Sequence, residues 1–295
     1  MNVIETSQLA KRFTFCSVLK SVDLTIERGS VVGLLGTNGS GKSTLIKCLL
    51  GLLKANEGTS KIFGEDSWDL SAGTKAKIGY VAQRPNFYPW MSPLDVVDYI
   101  GAFYDSWDRA WTRELMKRWE LRTDTRADVL SPGQKQRLAM VVALGHRPEL
   151  IVLDEPVASL DPVGRRESLR QLIEVTQDGD HTLLYSTHIL SDLERVASHV
   201  AILADGKITC FDELDLLKER FKRIRLSSVN LLPEDFSVSG ALNLTTSGKE
   251  AIVTMPNVSQ DLIDQLKQKW DCEISIEDLN LEEIFLELIG REASL

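Results

Sequence analysis

The chain has 295 residues, 43% hydrophobic and 26% charged, and its 43 acidic against 34 basic side chains leave a net charge of −9. That composition allows a sizeable buried core, and the acidic balance disfavours nonspecific binding to nucleic acid or to an anionic bilayer. The opening MNVIETSQLAKRF has no apolar stretch of signal-peptide length, the richest apolar run, Leu45 to Leu53, is broken by Lys47 and Gly51, and Cys16, Cys48, Cys210 and Cys272 lie far apart. The expectation is a protein of a reducing compartment, without a membrane span, a disulfide framework or a zinc site.

In chain order, Val31 to Leu35 reads as a strand covered on both faces, and Ser43 to Leu53 as a helix. The stretch from Pro85 to Leu144 has helical period, with helices over Arg113 to Glu120 and Gln134 to Leu144, and no buried strand; it reads as an inserted helical subdomain, about 85–145. Leu150 to Leu153, Leu183 to Tyr185 and Val200 to Leu203 are further apolar strands, with a helix over Arg165 to Val175 between the first two. The alternation predicts an α/β core with a largely parallel sheet. A basic stretch at Leu217 to Arg225 reads as a solvated linker, which puts the domain boundary at 217/218, with a lipid-headgroup contact as its other reading. Beyond it, strands over Ile224 to Val229, Ala241 to Thr246 and Ala251 to Met255, the last two turning at Ser247-Gly248, precede a helix over Gln260 to Trp270, a strand over Glu273 to Ile276 and a helix over Leu281 to Ile289. Residues 218–295 are thus expected to form a small α+β domain.

The sharpest chemical signal is Gly36-Thr-Asn38-Gly39-Ser40-Gly41-Lys42-Ser43-Thr44, between the first strand and its helix. The glycines let backbone N–H groups curl around phosphate oxygens, the helix points its positive end at the same anion, Lys42 reaches the β and γ phosphates, and the Ser43 hydroxyl is a Mg²⁺ ligand. This is a P-loop, and ATP with Mg²⁺ is the expected ligand pair. The second signal is Leu150-Ile-Val-Leu-Asp154-Glu155-Pro156, an apolar strand ending in two acids at the carboxyl edge of the sheet, where ligands of open α/β sheets bind. Asp154 is placed to hold Mg²⁺ and Glu155 to orient an attacking water as general base.

Leu130-Ser131-Pro132-Gly133-Gln134, about twenty residues before the acid pair, resembles the LSGGQ signature of ABC ATPases. The resemblance extends to Gln83 (the Q-loop), Ser159-Leu160-Asp161 (the D-loop) and Ser186-Thr187-His188 (the switch histidine), in the family's order, and covers roughly residues 3 to 215. It implies that 1–217 is an ABC ATPase domain, that Gln83 and His188 join Glu155 in the hydrolytic site with Gln83 also near the metal, and that Phe13, in Lys11-Arg12-Phe13, stacks on adenine. His188 emerges from an apolar strand, where an imidazole can meet the γ-phosphate and the attacking water.

The same resemblance implies head-to-tail pairs, in which Ser131, Gly133 and Gln134 contact the ATP held by the other subunit and Asp161 lies near the seam. A homodimer is the simpler arrangement. Pro132 stands where the signature has its first glycine and has no N–H, and this raises a heterodimer with this chain as the weaker member. A transporter ATPase without a membrane segment needs a separate polytopic permease, which would make the chain cytoplasmic and peripheral on the inner face of the membrane. Asn86-Phe87-Tyr88-Pro89-Trp90-Met91 suits a partner helix, or packs within the helical subdomain. Asn280 to Gly290 resembles the closing segment of ATPase subunits from bacterial drug, antibiotic and ion exporters, and Trp107-Asp108 is similar to a subset of them. Export is therefore preferred to import. The alternative is a soluble ABC ATPase acting on ribosomes or nucleic acid, which the negative charge disfavours.

Overall fold

The computed structural model describes residues 1–158, 160–177 and 181–290. The chain divides into two compact units, Met1–Phe211 and Asp212–Leu295.

The first unit opens with β1 (Asn2–Phe13) and β2 (Cys16–Glu27), a long antiparallel hairpin, followed by β3 (Val31–Leu35) and α1 (Lys42–Leu49). α1 stops short of the expected Leu53 because Gly51, at φ +66°, turns the chain where an added Cβ would lie 2.0 Å from the Ser67 carbonyl. β4 (Glu57–Ile62), β5 (Glu65–Asp66), α2 (Ala72–Lys75) and β6 (Ile78–Val81) follow. β2, β1, β4 and β5 make an antiparallel sheet that the apolar pattern did not announce. Its β1–β2 register shifts at four places, and each shift breaks the period-two alternation that marks a strand.

The helical segment holds α3 (Pro93–Gly101), α4 (Arg109–Arg118) and α5 (Pro132–Leu144). α4 begins ahead of the expected Arg113 because Asp108 caps it, accepting from Trp111 N–H at 2.8 Å. The Trp107 indole fills the space over Gly101 and Gly145, where added Cβ atoms would meet it at 2.6 and 2.3 Å, and so keys the end of α3 to the end of α5. Trp107-Asp108 therefore has a packing and capping role of its own. His146 stacks on Tyr104 at 4.2 Å and donates to the Ile78 carbonyl through Nε2; burial pushes its pKa down.

The chain then returns to the main sheet with β7 (Leu150–Asp154), α6 (Pro162–Gln177), β8 (Thr182–Thr187), α7 (Leu190–Leu193), β9 (His199–Ala204) and β10 (Lys207–Glu213). The order across the sheet is β10-β9-β3-β8-β7-β6, and the pairs β9–β3, β3–β8, β8–β7 and β7–β6 are parallel. Every residue of β7 and β8 is buried, which explains the apolar runs Leu150 to Leu153 and Leu183 to Tyr185, while the buried hydroxyls of Thr182, Ser186 and Thr187 in β8 are hydrogen-bonded. The parallel strands share one direction, so the loops after β3, β6, β7 and β8 leave the same edge.

The second unit contains α8 (Leu214–Arg220), β11 (Phe221–Ser228), β12 (Asn243–Ser247), β13 (Glu250–Pro256), α9 (Gln260–Trp270), β14 (Cys272–Asp278) and α10 (Leu281–Gly290). Its sheet is antiparallel in the order β12-β13-β11-β14, over a core that includes Ile224, Leu226, Val253, Ile263 and Leu266. Here the linker reading of Lys218 to Arg225 is corrected. Phe221 onward is the inner strand β11: Ile224 and Leu226 enter the core, while Arg223 and Arg225, on the other face, pair at 2.7 Å with Glu283 and Glu277. Lys222 pairs with Asp278 at 2.7 Å and Arg220 with Asp212 at 2.6 Å. The basic charges are matched by acids of the same unit, so neither a solvated linker nor a lipid-facing run describes them.

Candidate active site

The P-loop leaves β3 through Gly36, where a Cβ would stand 2.4 Å from Ser40 Oγ and 2.6 Å from the Leu203 carbonyl. Gly39 and Gly41 hold φ of +85° and +108°, the left-handed region that glycine alone enters without strain. Gly41 is also the N-cap of α1 and offers no side-chain acceptor, so the first N–H groups of that helix are left for a ligand. Lys42 is 5% exposed; its ammonium donates to the Gly36 and Thr37 carbonyls at 2.9 and 3.2 Å and lies 3.4 Å from Glu155 Oε1.

Asp154 and Glu155 end β7 as expected, and Ser186 of β8 locks both. Its Oγ donates to Asp154 Oδ1 at 2.7 Å and accepts from Glu155 N–H at 2.9 Å. Glu155 sits at φ +48°, a region that costs a non-glycine residue free energy and recurs where function requires a fixed orientation. Its carboxylate is the meeting point of the site: Oε2 accepts from Gln83 Nε2 at 3.0 Å, and Oε1 faces Lys42 and, at 3.5 Å, His188 Nδ1. Beside Asp154, the Tyr80 hydroxyl is pushed up to about 12, first by burial and then by that carboxylate.

A cavity of about 550 Å³ is lined by Val18, Asn38, Gly39, Gly41, Lys42, Ser43, Thr44, Gln83, Glu155 and His188. The structure thus brings together residues from five separate stretches of sequence. Gly36, Ser40 and Asp154 stand behind this lining. Phe13 is half exposed at the end of β1, with the Lys11 ammonium 5.3 Å over its ring, and it does not line the cavity. Val18 was marked by no sequence pattern, and Ser186, which stands in the switch motif, carries a locking role that the motif did not announce; both act through where β2 and β8 place them.

Ser131, Gly133, Gln134 and Asp161 do not line this cavity. Ser131 caps α5 in a reciprocal box, accepting from Gln134 N–H at 3.2 Å while Gln134 Oε1 accepts from Ser131 N–H at 2.9 Å. Pro132 falls at the first helical position, where a missing N–H costs no intrahelical bond. At Gly133 a Cβ would come within 2.5 Å of Leu160 Cδ2, so the signature and the D-loop of one chain pack on each other. Asp161 Oδ1 accepts from the Val163 and Gly164 N–H groups at 3.0 Å each, and these bonds hold its carboxyl below the usual range. Ser159, the first residue of the expected D-loop, lies outside the described residues.

A family profile described as "ABC transporter" matches residues 19–158. The chain is 32% identical over 296 residues to the ABC transporter ATP-binding protein YtrB of Bacillus subtilis (strain 168), covering 98% of each. It belongs to the ABC transporter ATP-binding proteins. A second relative of this family, the bacitracin transport ATP-binding protein BcrA of Bacillus licheniformis, is 29% identical, covering 98% of this chain and 97% of that one. Among solved structures, the dimeric post-hydrolysis state of the ATP-binding cassette MJ0796 bound to ADP and Pi matches with a TM-score of 0.65 at 27% identity, covering 72% of this chain and 98% of that one. Another, described as an ATP binding subunit of an ABC transporter, matches with a TM-score of 0.66 at 29% identity, over 74% of this chain and 92% of that one. The chain is an ABC ATPase: it binds and hydrolyses ATP, as a subunit of a transporter, and ABC ATP-binding domains dimerise. Among the described residues no helix is long and apolar enough to cross a membrane.

Proposed function

We propose that this ATPase powers export of a solute through a separate polytopic membrane protein, from the cytoplasmic face of the membrane, and that it works as a homodimer. The observation that carries the catalytic part is the convergence of Lys42, Gln83 and His188 on the Glu155 carboxylate. The γ-phosphate takes the Lys42 ammonium away from Glu155 and the loop carbonyls, and the freed carboxylate orients and deprotonates the attacking water. His188, at the mouth of the cavity, donates to the γ-phosphate as charge develops on it. Gly36, Asn38, Gly39, Ser40, Gly41 and Thr44 hold the phosphates, and Phe13 stacks on the base.

Mg²⁺ fits the donor set: the Ser43 hydroxyl, the Gln83 amide oxygen and the Asp154 carboxylate are hard oxygen donors, few enough for an ion that keeps several waters. When bound, it neutralises charge on the phosphates. The partner subunit contributes its Ser131, Gly133 and Gln134 to the same nucleotide, with Asp161 at the seam.

The permease reading is supported by an exposed aromatic ladder. Trp90, Tyr88, Tyr99 and Phe103 are between 42% and 70% exposed and touch in that order, with ring centroids 5.1, 6.0 and 5.4 Å apart. Rings buried within the subdomain would not show that much surface; exposed clusters of this kind mark binding surfaces. The direction of transport rests on the bacitracin relative and the closing segment at Asn280 to Gly290. Residues 218–295 act as an accessory domain. To test this reading, E155Q is used as affinity bait with Mg-ATP in detergent extracts of the native host. A polytopic membrane protein should co-purify and be lost in Y88A/W90A; ribosomal proteins in its place would refute the transporter assembly.

A further inference from the structure

Three polar atoms on three different elements are buried without a hydrogen bond behind the switch histidine: Arg165 Nε in α6, Asp192 Oδ2 in α7 and the Tyr185 hydroxyl in β8. Arg165 Nε and Asp192 Oδ2 face each other at 3.7 Å, with side chains only 22% and 9% exposed. That separation is an ion pair too long to be a hydrogen bond. Buried polar atoms almost always find partners, because leaving one unmade costs its full desolvation.

The pair sits at a junction. Through Nη2 the Arg165 guanidinium donates to the Leu160 carbonyl at 3.4 Å, and Asp161 caps the first turn of α6 with two backbone bonds, so Leu160, Asp161 and Arg165 are tied to the same turn. Leu160 in turn fills the space over Gly133 at the start of α5. On the other side, α7 follows His188 within two residues and is seated by Leu193, whose Cδ1 lies where a Cβ on Gly33 would come within 2.4 Å. Asp192 is therefore held against β3 by its neighbour and faces α6 through its own carboxylate. Burial raises its pKa, and Arg165, Arg195, Arg166 and His188 oppose that rise.

We propose that Arg165 and Asp192 are positioning residues that fasten the loop bearing His188 to the segment bearing Leu160 and Asp161, so that a displacement at the signature and Asp161 is carried to the histidine. Neither side chain lines the nucleotide cavity; both act through His188. The inference rests on the reading of His188 as a group acting at the γ-phosphate.

The test is a cycle in the full chain: R165Q, D192N, the double variant, D192E, H188A and H188A/D192N, each measured for kcat, KM for ATP and melting temperature. Each neutral single should lower kcat about tenfold with KM within about twofold, the double should be no worse than the worse single, D192E should recover most of the loss, and D192N should add nothing to H188A. Additive losses in the double variant, or losses that follow the melting temperature and ATP affinity, would show a merely structural pair and overturn the proposal. Parent-like kcat in both singles alongside an impaired H188A would overturn the coupling and leave the histidine reading standing. Parent-like kcat in H188A would remove both.

Discussion

The helix after the phosphate loop and the helix after the signature begin in opposite ways. α1 starts from Gly41, in a left-handed conformation and with no side chain to satisfy its first N–H groups. α5 starts from Ser131, whose hydroxyl and N–H are already engaged with Gln134, and then from Pro132, which has no N–H to offer. The first helix start is incomplete without an anion; the second is complete in the isolated chain. For the same reason the first half-site is a ligand site on its own, whereas in the proposed dimer the second would exchange its cap for a phosphate contact. On that proposal the cost of the exchange falls on the dimer, and nucleotide affinity of the single chain is expected to report on the α1 half-site and not on α5.

The largest effect that would break this contrast is at Lys42. K42A removes the cation that bridges the loop carbonyls and Glu155, and phosphate release should fall by about two to three orders of magnitude. A variant that hydrolysed ATP at the parent rate would leave α1 with no privileged role. Next is G41A, which forces a Cβ into φ +108° and to 3.1 Å from both Val18 and Leu19. Strain of about 1–3 kcal/mol is expected, read by calorimetry as weaker ATP binding and a lower melting temperature.

At the second helix start, S131A deletes the cap and should cost about 1 kcal/mol by denaturant titration, with S131D recovering the stability because aspartate caps as well as serine. ATP binding by the single chain should be unchanged in both. The smallest effect belongs to P132G: a stability loss of about 0.4–1 kcal/mol from the freer unfolded chain, with hydrolysis within about twofold of the parent. A large gain in hydrolysis on restoring that N–H would show that the signature start is limited by proline chemistry and not by its cap.

The two helix starts also divide what could be read in the sequence from what could not. Gly36 to Thr44 was legible because a phosphate loop is local: its glycines and Lys42 do their work within nine residues. Glu155 was legible as an acid at a strand end. Of its setting, Gln83 and His188 were legible only through the family resemblance, and the contacts of Lys42 and Ser186 were not, since all four come from distant parts of the chain and only the order of the parallel sheet brings them together. The role of Pro132 depended on a helix boundary: read as a missing donor it looks like damage, while at the first helical position it costs nothing.

The β1–β2 hairpin escaped notice because shifts in register interrupt its alternation, and Phe13 sits at its tip. The basic run Lys218 to Arg225 misled in the opposite direction. Charge at successive positions suggested solvent, but strand alternation puts Ile224 and Leu226 inside, while Arg223 finds Glu283 on the last helix and Arg225 finds Glu277 across the sheet. Those acids lie more than fifty residues away in sequence, beyond the reach of any local pattern.

The central claim is that the Glu155 carboxylate, gathered by Lys42, Gln83 and His188, is the base of hydrolysis. The direct measurement is phosphate release and ATP binding by E155Q, an isosteric change at the meeting point. Hydrolysis should fall by about 100-fold or more while the ATP dissociation constant stays within about threefold of the parent. Hydrolysis at the parent rate, with binding intact, would contradict the claim and move the base elsewhere in the site.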